Sequence, residues 1–276
     1  MNRRVNRWCG SAIRRSDRGA VAIEAAAIMG LIGVYSYVTL IVVLASKWKA
    51  ISTAKVHRKF VHIMIGNIVF IWWVFDSNYV MALLAAAPFI PLLLLASPYS
   101  HFSKLKGSFL GRTTGESHDL GLVYYAISWT ILAFFFFDVR LIASVAIVAM
   151  AYGDGMGGLI GKRYGKRKIH GQRTLEGTVA VFVATLIATI VVIAFYQWLD
   201  AQGLLEMNIE AFGWEIAIVS ALIVAAFVAV VELLTPGAYD NIVIPLGTAV
   251  LLLLLWDGYL ADSVTQLLNA LPGLTG

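Results

Sequence analysis

One stretch of this sequence, residues 153–180, combines the residue types that bind a polyphosphate. It begins inside an apolar run with Asp154, and an acidic side chain near the end of such a run is costly and usually functional. Glycines and basic residues follow, up to Thr174, Glu176 and Gly177. Glycines free backbone N–H groups, basic side chains supply cations and carboxylates suit a divalent metal. The stretch therefore predicts a site for a polyphosphate with a divalent cation, although it lacks the Walker A pattern.

Four glycines of this stretch are spaced by four residues, which puts them on one face of a helix: Gly153, Gly157, Gly161 and Gly165. Small residues at this spacing let two helix backbones approach closely, so helix packing is one interpretation. The basic residues that follow favour the other interpretation, in which the glycine-rich backbone binds phosphate. The spacing alone leaves both interpretations open.

The composition of the whole chain is that of a polytopic membrane protein. Of its 276 residues, 60% are hydrophobic and only 13% are charged, and the mean hydropathy is +0.81. A soluble domain carries about 25% charged residues. The composition therefore excludes a water-soluble globule and a disordered chain. The single cysteine, Cys9, excludes an intrachain disulfide.

Eight apolar runs are candidate membrane-spanning helices, since a helix needs about 20 mostly apolar residues to cross the hydrocarbon layer. The runs are continuous and lack the alternation of barrel strands, so we predict an all-α bundle with seven or eight transmembrane helices. The candidate runs are Ala20–Ser46, Val61–Phe75, Tyr79–Ala96, Leu120–Phe137, Val139–Leu159, Leu175–Leu199, Trp214–Leu234 and Asn241–Leu260.

The basic residues are distributed unevenly between the two sides of this bundle. The loops after the first, third and fifth runs hold 14 Lys and Arg residues, whereas the loops after the second, fourth and sixth hold one, Arg140. By the positive-inside rule the first set is cytoplasmic. We therefore expect an integral, multi-pass protein of the cell membrane whose polar site faces the cytoplasm.

The arginine-rich N-terminal tail, residues 1–28, conflicts with this topology because its charges should also stay inside. Two interpretations stay open. Either the later loops outweigh the tail, or the mature protein starts at Met29 and the tail is a processing segment. Residues 29–276 then form a single transmembrane domain.

The order Gly-Asp, small residues, Gly-x-x-x-Gly-Lys, a basic stretch and Thr-x-Glu-Gly resembles the CTP-dependent lipid kinases. This group includes dolichol, phytol and farnesol kinases and the CTP-dependent diacylglycerol kinases, in which the segment is implicated in binding CTP. The same order also resembles the phosphatidate cytidylyltransferases, which make CDP-diacylglycerol. The motif therefore indicates a membrane enzyme that uses CTP, and it leaves phosphoryl and cytidylyl transfer both open.

Two further segments favour the kinases. Residues 58–62 (Arg-Lys-Phe-Val-His) resemble the Arg-Lys-x-x-His that opens the second helix of the kinases. Residues 231–241, followed by Pro245, resemble the kinases' Val-Glu, short turn, Asp-Asn and Pro-Leu, whereas the C-terminal pattern of the cytidylyltransferases is missing. The resemblance covers about residues 50–257. It departs from the kinase pattern at Lys55, where an acidic residue is common, and at Gln172, where a lysine is expected.

Chemistry and resemblance together predict a lipid-alcohol kinase. It would transfer the γ-phosphoryl group of CTP to the hydroxyl of an isoprenoid alcohol (phytol, farnesol or a polyprenol) or of diacylglycerol, with Mg²⁺ as cofactor and no nucleic-acid partner. The predicted catalytic residues are Asp154, Asp240, His62, Arg58 and Lys59. The predicted metal ligands are Asp154, Glu176, Glu232 and Asp240. The predicted nucleotide-binding residues are Gly153, Gly157, Gly161, Lys162, Gly165, Lys166, Lys168, Arg173, Thr174, Glu176, Gly177 and Asn241.

Two alternative functions compete with this prediction. The first is a phosphatidate cytidylyltransferase, which would release pyrophosphate rather than CDP. The second is a transporter of an anionic solute, which the intramembrane carboxylates and glycine-broken helices would also suit.

Overall fold

The structure of the chain is a computed structural model that describes residues 25–47, 54–102, 104, 111, 120–205 and 213–256. The predicted tail, residues 1–28, lies outside the described residues except for its last four. The predicted domain, residues 29–276, is described within the same ranges.

The described residues form eight α-helices and one small β-hairpin. The helices are α1 (Ala25–Lys47), α2 (Ala54–Gly66), α3 (Phe89–Ala96), α4 (Gly121–Phe135), α5 (Arg140–Tyr164), α6 (Leu175–Ala201), α7 (Trp214–Leu234) and α8 (Asp240–Trp256). The 3₁₀ turns Asn67–Phe70 and Trp72–Val74 follow α2, the π-helical segment Val80–Ala86 precedes α3, and the 3₁₀ turn Phe137–Val139 joins α4 to α5. The hairpin precedes α6.

Four of the described helices are long and apolar enough to cross a membrane: α1, α5 with the turn before it, α6 and α7. Three further apolar stretches are shorter helices: Val80–Ala96, Gly121–Phe135 and Asp240–Trp256. The chain is therefore a helical membrane protein, as the composition predicts. Of the seven or eight predicted spans, four meet the length criterion within the described residues.

Helix α5 is the centre of the bundle. Its residues from Leu141 to Ala151 are all buried, and it packs most extensively against α6, then against α8 and α2. The sequence explains this position, because the first half of α5 is apolar on every side and such a helix belongs in a core. Among the described helices, Asp154 therefore lies on the one that is most enclosed.

The hairpin consists of β1 (Lys168–His170) and β2 (Arg173–Thr174), which pair in antiparallel fashion. Gly171 forms its turn with a φ of 53°, a left-handed conformation that favours glycine. The Thr174 hydroxyl then accepts the backbone N–H of Gly177 at 3.2 Å and caps α6. The sequence analysis predicts no strands, and this two-stranded hairpin is the departure from an all-α fold within the described residues.

Gly153, Gly157 and Gly161 of α5 lie where α5 and α6 approach each other closely. A Cβ added at Gly161 would lie 3.3 Å from the Cα of Gly177, and one added at Gly177 would lie 3.2 Å from the carbonyl oxygen of Gly157. One added at Gly153 would meet Thr185 of α6. The four-residue spacing therefore serves close helix packing, and nucleotide binding by these glycines stays a prediction.

Candidate active site

Polar side chains that are distant in the sequence meet beside Asp154. They come from α2, α5, β2, α7 and the start of α8, and several of them line a small polar cavity. The side chains that meet here are Arg58, Lys59, His62, Asp154, Arg173, Glu232, Asp240 and Asn241.

Asp154 is 2% exposed and holds the first half of this cluster together. Its Oδ2 accepts a hydrogen bond from Lys59 Nζ at 2.5 Å and lies 3.7 Å from His62 Nε2. Helix α2 packs against α5, and the residues at positions 59 and 62 lie one turn apart on the face that meets Asp154. The second carboxylate oxygen, Asp154 Oδ1, is buried without a hydrogen-bond partner, and so is His62 Nε2.

Arg173 holds the second half of the cluster together. Its guanidinium pairs with Glu232 of α7 and reaches Asp240 Oδ2 of α8 at 3.4 Å. The hairpin brings Arg173 to this position, because the His170 ring nitrogen Nδ1 contacts the carbonyl oxygen of Leu233 at 3.1 Å. A planar guanidinium suits this role because its N–H groups can bind two carboxylates at once.

Helix α8 begins with the pair Asp240 and Asn241, both buried. Asn241 Nδ2 donates to Asp240 Oδ1 at 2.6 Å, whereas Asn241 Oδ1 is buried without a partner. Pro245 has no N–H, so the Asn241 carbonyl four residues earlier lacks its helical donor. The hydroxyl of Ser128 on α4 donates to that carbonyl at 2.7 Å and replaces the missing bond.

The cluster has buried oxygens that could accept a cation. It combines three buried carboxylates, those of Asp154, Glu232 and Asp240, with three basic side chains, those of Arg58, Lys59 and Arg173. Buried carboxylates are stable only when they are paired or coordinate a metal. Two unpartnered buried oxygens, one on Asp154 and one on Asn241, belong to residues that line the same cavity.

The carboxylates of this cluster suit a Mg²⁺ ion that is bound together with a nucleotide. Among the described residues, no three His, Cys, Asp or Glu side chains form a ready-made metal cluster. Mg²⁺ usually takes one or two carboxylates and completes its shell with water and phosphate oxygens. Asp154 and Asp240, which line the cavity, are of the right type, whereas Glu232 is not among the residues that line it.

Other predicted site residues have different surroundings. Glu176 Oε2 accepts the backbone N–H groups of Lys166 and Arg167 at 3.0 and 3.3 Å, which closes the hairpin loop. Lys162, Lys166 and Lys168 are exposed. The described geometry thus gives Thr174, Glu176 and Gly177 local structural partners, and their role in nucleotide binding stays a prediction.

A second, apolar cavity of about 370 Å³ adjoins the polar one. It lies among α1, α2, α4, the π-helical segment and α3, and His62 and Leu122 line both cavities. Volumes of about 300–1,000 Å³ are typical of ligand sites. The two cavities together offer a charged chamber next to an apolar one, as a reaction between a polar and a lipid substrate requires.

The sequence analysis missed the contribution of α4. The ring of Tyr125 packs against that of His62, tilted by 38° with centroids 4.2 Å apart, and its hydroxyl donates to the His62 carbonyl oxygen at 3.1 Å. Leu122 lines both cavities, and Ser128 completes the start of α8. In the sequence, Tyr125 and Ser128 are only two of the four hydroxyl-bearing residues of an otherwise apolar run, so nothing distinguishes them.

Comparison with known proteins gives one consistent result. No family model and no solved structure matches the chain. The phytol kinase of Synechocystis sp. is 30% identical over 220 residues, which cover 76% of this chain and 82% of that protein. A probable chloroplastic phytol kinase of Triticum aestivum is 27% identical, over 72% of this chain and 67% of its own length. A probable chloroplastic phytol kinase 2 of Oryza sativa subsp. japonica is 26% identical, over 83% and 73%. On this identity and coverage, the chain belongs to the phytol kinase family of lipid-alcohol kinases.

Proposed function

We propose that this protein is a CTP-dependent kinase that phosphorylates the hydroxyl of a membrane isoprenoid alcohol, with phytol as the first acceptor to test. The observation that carries this proposal is the junction of the two cavities at His62 and Leu122. An acceptor whose chain occupies the apolar cavity would present its hydroxyl to the charged residues around Asp154. The names of the relatives agree with a phosphotransferase that acts on an alcohol.

Lys59 and Arg173 are the cations best situated to bind the phosphates. Both are paired with buried carboxylates in this structure. We infer that they exchange these carboxylates for phosphate oxygens when the nucleotide binds, because a guanidinium or ammonium binds either anion. The exposed Lys162, Lys166 and Lys168 would then contact the outer part of the triphosphate.

Mg²⁺ would be held by Asp154 and Asp240, and when bound it neutralises charge on the phosphates. Release of these two carboxylates from Lys59 and Arg173 would make them available for that purpose. Asn241 Oδ1, which is buried and unpartnered, offers a further oxygen to the same assembly. CTP as the donor rests on the resemblance of residues 153–177 to CTP-dependent lipid kinases.

Proton movement in this proposal involves His62 and Asp240. The alcohol oxygen bonds to the γ-phosphorus while the bond to the β,γ-bridging oxygen breaks, so the products are a lipid phosphate, CDP and one proton. His62 Nε2, buried and unpartnered, would accept the hydrogen bond of the hydroxyl and orient it. Asp240, which lines the same polar cavity, is the candidate base for the proton.

The location proposed for this reaction is the cytoplasmic face of a cell membrane. It follows from the basic loops of the sequence and from the proposed count of seven or eight spans. Four helices that are long and apolar enough to cross a membrane support a multi-pass arrangement. Cysteine labelling at the exposed positions 166 and 204, which lie beyond opposite ends of α6, would test the orientation: only position 166 should react from the cytoplasm.

The test of function uses purified protein with phytol, farnesol, geranylgeraniol and diacylglycerol. Each acceptor is incubated with Mg²⁺ and with CTP, ATP or UTP that carries label on the γ-phosphate. We expect label in the lipid fraction with CTP and an isoprenoid alcohol. Transfer of label from the α-phosphate instead would identify a cytidylyltransferase. Nucleotide binding without transfer to any lipid would favour the transporter.

A further inference from the structure

The end of the apolar cavity that lies away from the polar cavity is formed by buried side chains. Trp72, Met81 and Trp129 line this end, and they are only 1%, 1% and 6% exposed. The rings of Trp72 and Trp129 contact each other edge to face, with centroids 4.8 Å apart. We call these three residues the floor of the cavity. The opposite end meets the polar cavity at His62 and Leu122.

Two segments run from the polar end of the cavity to its floor: α4, and the stretch from His62 to Trp72. Their lengths give the depth of the cavity. On α4, the seven residues from Leu122 to Trp129 rise about 10 Å at 1.5 Å per residue. From His62 through the 3₁₀ turn to Trp72, ten residues rise about 15 Å or slightly more. An extended hydrocarbon with bonds of about 1.52 Å advances roughly 1.25 Å per bond. The cavity therefore spans roughly eight to twelve bonds of an extended chain.

The occupant of this cavity follows from its continuity with the polar site. Most residues along its length are apolar, and His62 at the polar end carries a buried nitrogen without a hydrogen-bond partner. A single hydrocarbon chain with a terminal hydroxyl satisfies both features. An extended farnesyl chain would just reach the floor, and a phytyl chain would fit with a bend. A polyprenol is longer than the distance from His62 to the floor.

We propose that Trp72, Met81 and Trp129 limit the chain length of the alcohol that the enzyme phosphorylates. This inference rests on the proposed kinase function and adds a specificity role for residues far from the reacting groups. Filling the cavity at half depth should restrict the enzyme to short chains, and deepening its floor should admit longer ones. Geraniol, farnesol, phytol and a polyprenol form a suitable series of acceptors.

The first test fills the cavity with Ala126→Leu. Ala126 is buried on α4, one turn beyond Leu122, and lines the cavity. The matched control is Ala133→Leu, because Ala133 is buried on the same helix but does not line the cavity. We expect Ala126→Leu to raise the ratio of kcat/KM for geraniol to that for phytol about tenfold, since one methylene in an apolar pocket discriminates by at least that factor. Ala133→Leu should leave the ratio unchanged.

The second test deepens the cavity with Met81→Ala. Leu132→Ala is the matched control, because Leu132 is equally buried, does not line the cavity and loses a side chain of similar size. Both variants should lose comparable stability, about 2–5 kcal/mol for such truncations. Only Met81→Ala should raise the kcat/KM for the longest alcohol relative to that for farnesol.

The outcomes separate this inference from the proposed function. A wild-type protein that phosphorylates no lipid alcohol with any nucleotide overturns the function itself. If the wild-type protein phosphorylates alcohols, and Ala126→Leu and Met81→Ala keep its length preference, then the kinase function stands and the proposed role of the floor is wrong. Should Met81→Ala fail to fold, Met81→Val, which removes less packing, makes the same comparison of the longest alcohol with farnesol.

Discussion

The polar cavity and the apolar cavity meet at His62 and Leu122, yet they are built in opposite ways. In the polar cavity, buried charges from five elements are held in specific pairs, such as Lys59 with Asp154. In the apolar cavity, side chains from several helices contribute only shape. Loss of one charged partner leaves another charge buried and unpaired, whereas loss of one apolar side chain changes volume. The comparison predicts that substitutions in the polar cavity abolish turnover and that those in the apolar cavity change substrate preference.

The largest effect is expected for Asp154→Asn. This change keeps the shape of the side chain but removes the charge that pairs with Lys59 and, in the proposal, holds Mg²⁺. Loss of such a group in phosphoryl transfer costs about 10³-fold or more in kcat. Asp138→Asn is the control, because Asp138 is exposed in the turn before α5. Labelled-phosphate transfer measures the effect, and near-normal turnover of Asp154→Asn would remove Asp154 from the catalytic site.

A smaller loss is expected for Arg173→Lys. Lysine keeps the charge but cannot bind Glu232 and Asp240 at once. We expect kcat/KM for the nucleotide to fall about 10²-fold, as for loss of one preorganised charged donor. Arg167→Lys serves as the control on the exposed part of the hairpin loop. Equal kinetics of the two variants would show that Arg173 has only a structural role.

Gly177→Ala tests the packing role of the motif glycines. The added methyl group would lie 3.2 Å from the carbonyl oxygen of Gly157, so α5 and α6 must separate slightly. Overpacking of this kind costs about 1–3 kcal/mol, which thermal unfolding in detergent can measure. The remaining folded enzyme should keep its nucleotide KM within a few-fold. An unchanged melting temperature with lost nucleotide binding would instead favour a direct contact between this glycine and the nucleotide.

The smallest effect is expected for Tyr125→Phe, which probes the boundary between the two cavities. The hydroxyl that donates to the His62 carbonyl is lost, but the ring that packs against the His62 ring is kept. One such hydrogen bond contributes about 1 kcal/mol, so we expect a few-fold change in kcat and no change in length preference. A changed preference among the acceptor alcohols would show that Tyr125 belongs to the chain-binding wall.

The sequence singles out residues that meet beside Asp154 in the structure, but it does not show how they are arranged, and their catalytic roles stay predictions. Asp154, Lys59 and Arg173 stand out because a charge in or beside an apolar run has few structural explanations. Their partners could not be predicted in the same way. Lys59 and Asp154 are 95 residues apart, and their contact depends on how α2 crosses α5. Helical periodicity shows the face of a helix but not the neighbour on that face.

The hairpin and the role of α4 illustrate the same limit. The stretch around Gly171 is rich in basic residues and has no hydrophobic pattern, so the pairing of β1 with β2 leaves no periodic signal. The apolar run of α4 predicts a helix correctly, but Leu122 acquires its position between the cavities only from tertiary packing. The apolar cavity itself is a property of the assembled helices, and composition alone does not reveal it.

Pro245 creates a dependence between two positions that are far apart in the chain. Because the proline leaves the Asn241 carbonyl without a helical donor, Ser128 is needed only when residue 245 is proline. The effects of changing the two positions should therefore not add, as expected for residues that share one partner. Across related sequences, a residue without a hydroxyl at the position of Ser128 should accompany a residue other than proline at the position of Pro245. The hydrogen bond that holds the backbone of Asn241 in place thus predicts paired changes at positions 128 and 245, which can be sought by comparing sequences alone.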